Sequence, residues 1–96
     1  MKSALTAAEV EDVLRAHPMW RLQQGKLVRE LTFKDFVAAM MFVNRVAELA
    51  ESAGHHPDID IRYNRVLLGL VSHDAGGITA RDAALAGEID ADFPSA

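Results

Sequence analysis

The pattern of this chain predicts an α+β fold in two layers, a four-stranded antiparallel sheet with three helices on one face, in the order α-β-β-α-β-β-α. Three observations carry that prediction. Between Thr32 and Ala53, the residues Phe36, Met40, Val43, Ala47 and Ala50 recur at steps of four and three, the spacing of one helix face. From Asp58 to Tyr63 the chain alternates, with Ile59, Ile61 and Tyr63 against Asp58, Asp60 and Arg62, the period of a half-exposed strand. Thr6 with Glu9, and Thr79 with Asp82, have the capping-box spacing, in which each side chain satisfies a free backbone N–H at a helix start.

Taken in order, Ser3 to Ala16 reads as the first helix, with Val10, Val13 and Leu14 as its apolar stripe. It should stop near His17, because Pro18 disfavours helical geometry in the residue before it. His17 is then a last-turn residue favoured by the helix dipole. Met19 to Leu22 and Lys26 to Leu31 read as short strands, joined by Gln23-Gln24-Gly25, where Gly25 can take positive φ. Thr32 and Asp35 mark the entry to the long helix, Met41 and Phe42 widen its stripe, and Gly54 closes it as a left-handed cap. Asn64-Arg65 is expected to turn the chain into a last strand, Val66 to His73. That strand is apolar on both faces: Val66, Leu68 and Leu70 on one, Leu67 and Val71 on the other, in the parity of His73. Gly76-Gly77 interrupts the chain, Ala80 to Asp90 is helical with Leu85 and Ile89 inward, and Asp92 to Ala96 is expected to fray.

Ninety-six residues give one domain, 1–96, with room for one modest core. There is no cysteine, which excludes disulfides and thiolate metal sites and fits a reducing, cytoplasmic setting. No long apolar run follows Lys2 as a signal peptide would require, and no stretch approaches a membrane span. With net charge −4 and scattered Lys and Arg, the chain lacks the basic patch that a nucleic acid needs. The second hairpin strand and Met40-Met41-Phe42 offer more apolar surface than a small core covers, so self-association is expected.

The chemistry concentrates in two stretches, Gly54-His55-His56-Pro57-Asp58 and Ser72-His73 through Arg81-Asp82, which hold three of the four histidines. Histidine exchanges protons near neutral pH without help. A hairpin from Asp58 to Val71 would return His73 to the side of His55 and His56. Single histidines at element ends are commonly structural; three converging on one place suggest a site. Zinc held by three imidazoles, or by two and a carboxylate, is the rival. Against it, the chain has no His-x-His pair and no His-Glu-x-x-His, and consecutive side chains in extended chain point apart. Ser72 beside His73 is a weak nucleophile pair for the same reason, and Gly76-Gly77 lacks the spacing and lysine of a phosphate loop. General acid–base chemistry with neither metal nor cofactor is the remaining reading.

Glu51-x-x-x-His55-His56-Pro57, a strand ending in Ser72-His73, Gly77-Ile78-Thr79-x-Arg81-Asp82 and Leu31-Thr32-Phe33-Lys34-Asp35-Phe36 together resemble the pterin-4a-carbinolamine dehydratase family, from about Trp20 to Ile89. The resemblance implies a hydro-lyase that takes water from the 4a-hydroxy-tetrahydropterin left by aromatic amino-acid hydroxylases, returning quinonoid dihydropterin for reuse. The pterin is substrate, so no cofactor is implied. The resemblance makes His55, His56 and His73 the catalytic cluster. Glu51, Trp20, Arg81 and Asp82 become substrate-binding residues, with Glu51 placed to orient His55 one helical turn on. The self-association expected from the apolar surface would give a homodimer or homotetramer. A second class of function comes with the resemblance: animal members act as dimerisation cofactors of a homeodomain transcription factor, which points to a protein-binding module with a vestigial pterin site. The chain departs from many members at Gly54, where an acidic residue is common, and at Asp58-Ile59-Asp60, where an aromatic is. Among the histidines, His73 at a strand end and His55 behind the Gly54 cap are expected to handle protons. His56, pushed to extended geometry by Pro57, is expected mainly to contact substrate.

Overall fold

The structure, a computed structural model, describes residues 3–94. The elements are α1 (Ala7–Ala16), β1 (Arg21–Gln23), β2 (Lys26–Thr32), α2 (Phe36–Ala53), β3 (Asp58–Arg62), β4 (Arg65–Leu70), a 3-10 turn (His73–Ala75) and α3 (Ala80–Asp92). This is the α-β-β-α-β-β-α order expected. All four strands pair antiparallel in the spatial order β1-β2-β4-β3. The second hairpin therefore docks through β4, leaving β3 at an edge. β4 is accordingly the more buried of the two, with Leu67 half-buried on its outer face, while β3 is mostly exposed. Leu27 and Leu31 of β2 with Val66, Leu68 and Leu70 of β4 turn one sheet face to the core. Val10 of α1, Phe42, Val46 and Ala50 of α2 and Leu85 and Ile89 of α3 close over it.

Several boundaries move, each for a local reason. The first helix starts at Ala7 rather than Ser3, because Thr6 is its N-cap: its hydroxyl accepts the Glu9 N–H while the Glu9 carboxylate accepts the Thr6 N–H. The segment before it is tethered elsewhere, with the Leu5 N–H donating to the Ile78 carbonyl at 2.7 Å. Helix α2 starts at Phe36 rather than Thr32, because Asp35 caps it alone, accepting the Ala38 N–H at 2.9 Å. The turn of the second hairpin is Tyr63-Asn64, not Asn64-Arg65, since Arg62 pairs with Arg65. Asn64 is held there by bonds in both directions with the Phe33 backbone. The chain end is not frayed at Asp92: α3 runs to that residue, and Phe93 packs edge-on against Phe42 with centroids 4.6 Å apart. Ser95 and Ala96 lie outside the described residues.

The buried stripe of α2 is also rotated from the expected one. Ala39, Phe42, Val43, Val46 and Ala50 are buried, while Ala47 is exposed and Phe36 is 48% exposed. Met41 is 69% and Val37 66% exposed. Where two neighbouring stripes of a helix are both apolar, spacing alone does not choose between them.

Gly54 closes α2 as expected, at φ 62°, with its N–H reaching the Ala50 and Glu51 carbonyls. A side chain there would meet nothing within 4 Å, so the cost of one is purely that of the backbone conformation. Gly54→Ala should lower stability by about 1 kcal/mol, the penalty of an L-residue in the left-handed region. A urea titration with unchanged m-value reads this; an unchanged midpoint would show that the cap relaxes freely.

Candidate functional site

The end of α2 and the second hairpin place the first histidines. In β3–β4, Asp58 pairs with Gly69 and Ile59 with Leu68. Carried three residues past the ladder, that register sets His55 level with Ser72. A shared side chain bears this out. Asp82 stands in the first turn of α3, where the capping box puts it: its Oδ2 accepts the Thr79 N–H at 2.9 Å. The same oxygen accepts the Ser72 hydroxyl at 2.9 Å, and Oδ1 lies 2.5 Å from His55 Nε2. The Ser72 and Thr79 hydroxyls are 2.8 Å apart. Asp82 is fully buried and His55 is 8% exposed. Three segments distant in sequence thus meet on one carboxylate. An ionised carboxylate only accepts, and this one has a donor for each of three bonds.

His56 sits differently. Its Nε2 is 2.5 Å from Glu51 Oε2, with the side chains 62% and 77% exposed. The sequence placed Glu51 beneath His55; the carboxylate instead meets His56, because the left-handed cap turns the chain between them. An exposed pair of this kind adds little to stability. His73 is exposed and begins the 3-10 turn rather than ending a strand, since β4 stops at Leu70. The turn is closed by Gly76 at φ 70° and by the Ser72–Gly77 bridge. Arg81 Nη2 reaches Asp74 Oδ1 at 2.5 Å, so Arg81 steadies the turn that carries His73.

The other expected substrate contacts are engaged within the protein. Asp82 has no exposed surface and meets the site only through His55. Trp20 is 3% exposed and its indole N–H donates to Asp90 Oδ1 at 2.8 Å. Asp90 lies roughly two turns, about 12 Å, along α3 from Asp82. Trp20 therefore belongs to a second polar cluster. There, Asp90 also accepts Arg29 Nη1 at 2.6 Å, and His17 Nδ1 lies 3.3 Å from its other oxygen. His17 is thus held by a carboxylate of α3 as well as by its place at the end of α1. Arg29 and Asp90 escaped the sequence reading, although a signal was present. Arg29 shares the parity of Leu27 and Leu31, and a charge on a core face needs a partner. Ser72 was visible as a motif residue and a weak nucleophile candidate, and Thr79 as a helix cap.

Among the described residues, no group of three or more His, Asp or Glu side chains is arranged to hold a metal ion. No described helix is long and apolar enough to cross a membrane.

Comparison with known proteins identifies relatives of the chain. The family model described as pterin 4 alpha carbinolamine dehydratase matches residues 3–91. A protein of Acidobacterium capsulatum named "Putative pterin-4-alpha-carbinolamine dehydratase" is 61% identical over 87 residues, covering 91% of this chain and 95% of the relative. A Chloroflexus aurantiacus protein of the same name is 55% identical over 86 residues, covering 90% and 92%. Among solved structures, a transcriptional coactivator/pterin dehydratase from Brucella melitensis superposes with TM-score 0.87 at 35% identity, covering 93% of this chain and 97% of that one. A pterin dehydratase-like protein identified as a RuBisCO assembly factor in the alpha-carboxysome superposes with TM-score 0.66 at 26% identity, covering 80% and 92%. With residues 3–91 matched by the family model and a relative 61% identical over 91% of the chain, this chain belongs to the pterin 4 alpha carbinolamine dehydratase family.

Proposed function

We propose that this chain removes water from a 4a-hydroxy-tetrahydropterin to give the quinonoid dihydropterin, by histidine acid–base catalysis. The supporting observation is the pair of carboxylate-held imidazoles, His55 on Asp82 and His56 on Glu51, at the foot of the hairpin that leads to His73. In the reaction the C4a–O bond breaks as the hydroxyl takes a proton and leaves as water. N5 gives up its proton, and the electron pair of that N–H bond forms the C4a=N5 double bond. Nothing is oxidised or reduced overall, so the chemistry asks for one base and one acid rather than a cofactor.

In this reading His55 takes the N5 proton, His56 supplies the proton to the hydroxyl, and His73 contacts the pterin. The roles of His56 and His73 are exchanged relative to the sequence expectation. Glu51 gives His56 a carboxylate partner, and His73 lacks the strand ladder that was to fix its direction. Following dehydration of 4a-hydroxy-tetrahydropterin optically, with and without the protein, tests the reading; a rate no faster than the uncatalysed one ends it. Turnover should also survive chelation, whereas stoichiometric zinc and loss of activity on its removal would replace acid–base catalysis by metal catalysis. The proposed setting is cytoplasmic recycling of the pterin used by an aromatic amino-acid hydroxylase.

A protein-binding role is the second reading, favoured by the exposed Phe36, Val37 and Met41 on α2 and by the non-enzymatic roles named for two structural relatives. A pure binding module would not accelerate dehydration. The same apolar face supports self-association as a homodimer or homotetramer. Sedimentation at micromolar concentration should show it, and a monomer there would remove the argument.

A further inference from the structure

We propose that Asp82 is a positioning residue that holds neutral His55 in a single tautomer, with its hydrogen on Nε2 and its lone pair on Nδ1. We propose further that the hydroxyls of Ser72 and Thr79 hold Asp82 in place to do so. The consequence for catalysis rests on the dehydratase reading; the tautomer rests on the hydrogen bonds alone.

The hydrogens can be assigned one at a time. The Thr79 backbone N–H, 2.9 Å from Asp82 Oδ2, is a donor by nature. Ser72 Oγ lies 2.9 Å from the same oxygen, and a hydroxyl facing a carboxylate must donate. Ser72 has one hydrogen, so toward Thr79 Oγ1, 2.8 Å away, it can only accept. The Thr79 hydroxyl therefore donates to Ser72, and its oxygen accepts the Arg81 N–H at 3.2 Å. Every hydrogen on this side of the carboxylate is then accounted for: the Ser72 hydroxyl and the Thr79 N–H donate to Asp82, and the Thr79 hydroxyl supports Ser72. Taking Asp82 as an ionised carboxylate, which only accepts, its Oδ1 has no hydrogen to offer His55 Nε2 at 2.5 Å, so the ring nitrogen donates.

That leaves Nδ1 as the His55 ring nitrogen with no hydrogen-bond partner among the described residues. A lone pair there accepts a proton from a substrate N–H. The opposite tautomer would present a hydrogen and could not. Burial adds to this: Asp82 and Ser72 are 0% and 1% exposed and Thr79 is 3% exposed, so water does not compete for these bonds. Asp82 thus acts through His55 and does not touch substrate.

Imidazole nitrogen NMR on the histidine-labelled wild-type chain tests this directly. With the ring neutral, the expected result is a protonated Nε2 and an unprotonated Nδ1 for His55; the reverse assignment overturns the proposal. Asp82→Asn keeps an oxygen for Ser72 and Thr79 and turns its NH₂ to His55. It should move the ring hydrogen to Nδ1, and kcat should fall ~10²-fold or more with KM little changed, as when an orienting carboxylate of a histidine is lost elsewhere. An unchanged tautomer in a folded Asp82→Asn variant overturns the proposal. Ser72→Ala should reduce kcat several-fold, and Ser72→Thr, which keeps the hydroxyl, should restore it. Wild-type kcat in the Ser72→Ala variant would remove Ser72 from the argument. The wild-type spectrum needs no turnover, so a chain that shows the expected tautomer but no dehydration would overturn the function and leave this inference standing.

Discussion

Asp82→Ala should lower the unfolding free energy by about 3 kcal/mol, the scale of leaving buried hydrogen-bond donors without their acceptor. The substitution leaves three donors without their acceptor: His55 Nε2, the Ser72 hydroxyl and the Thr79 N–H. It also deletes one half of the capping box that starts α3. Water cannot readily replace the lost oxygens, because the residues around them are buried. A small domain has only about 5–15 kcal/mol of stability in all, so the loss would be plain in a urea titration. Glu51→Ala is the contrast. Its pair with His56 is as short, but both side chains are exposed, and the expected change is below about 0.5 kcal/mol. Similar midpoints for the two variants would mean that the Asp82 network is not formed in solution.

That contrast also marks what the sequence could and could not disclose. The element order was legible because periods of two and 3.6 dominate β3 and α2, and because the capping boxes at Thr6 and Thr79 announce α1 and α3. Gly54 was legible because a glycine after a long helical stripe has one usual use, the left-handed cap. Element boundaries were less so. Thr32 and Asp35 both suit a helix entry, and only the sheet register reveals that Thr32 belongs to β2. In the site, His55 and His56 stood out as a motif, but adjacency hides which carboxylate each one meets. Glu51 is four residues from His55 and five from His56. Helical spacing favours the first, and the reversal of the chain at Gly54 delivers the second. Asp82 was recognisable as a helix cap. Its second use, as the partner of His55 across 27 residues, needs the whole hairpin and α3 to be in place.

His56→Ala should reduce kcat by ~10²-fold while leaving stability nearly unchanged, and this result separates the proposed roles of the histidines most sharply. Side-chain exposure of 62% means that truncation opens no cavity and breaks no core contact. A large loss of rate without loss of stability would therefore report chemistry. His55→Ala should depress kcat as well, but with a stability cost, because it leaves Asp82 Oδ1 buried without a partner. If His56 delivers a proton to the leaving hydroxyl and His55 removes the one on N5, the two act in one event. The double variant should then lose less than the product of the single losses. His73→Ala, in a residue assigned to contact, should raise KM more than it lowers kcat. Rates corrected for the reaction without protein, measured separately on the two 4a-hydroxyl stereoisomers, provide the comparison. Should His56→Ala raise KM alone on both isomers while His73→Ala abolishes turnover, proton delivery belongs to the His73 turn, and the Glu51–His56 pair is only a substrate contact.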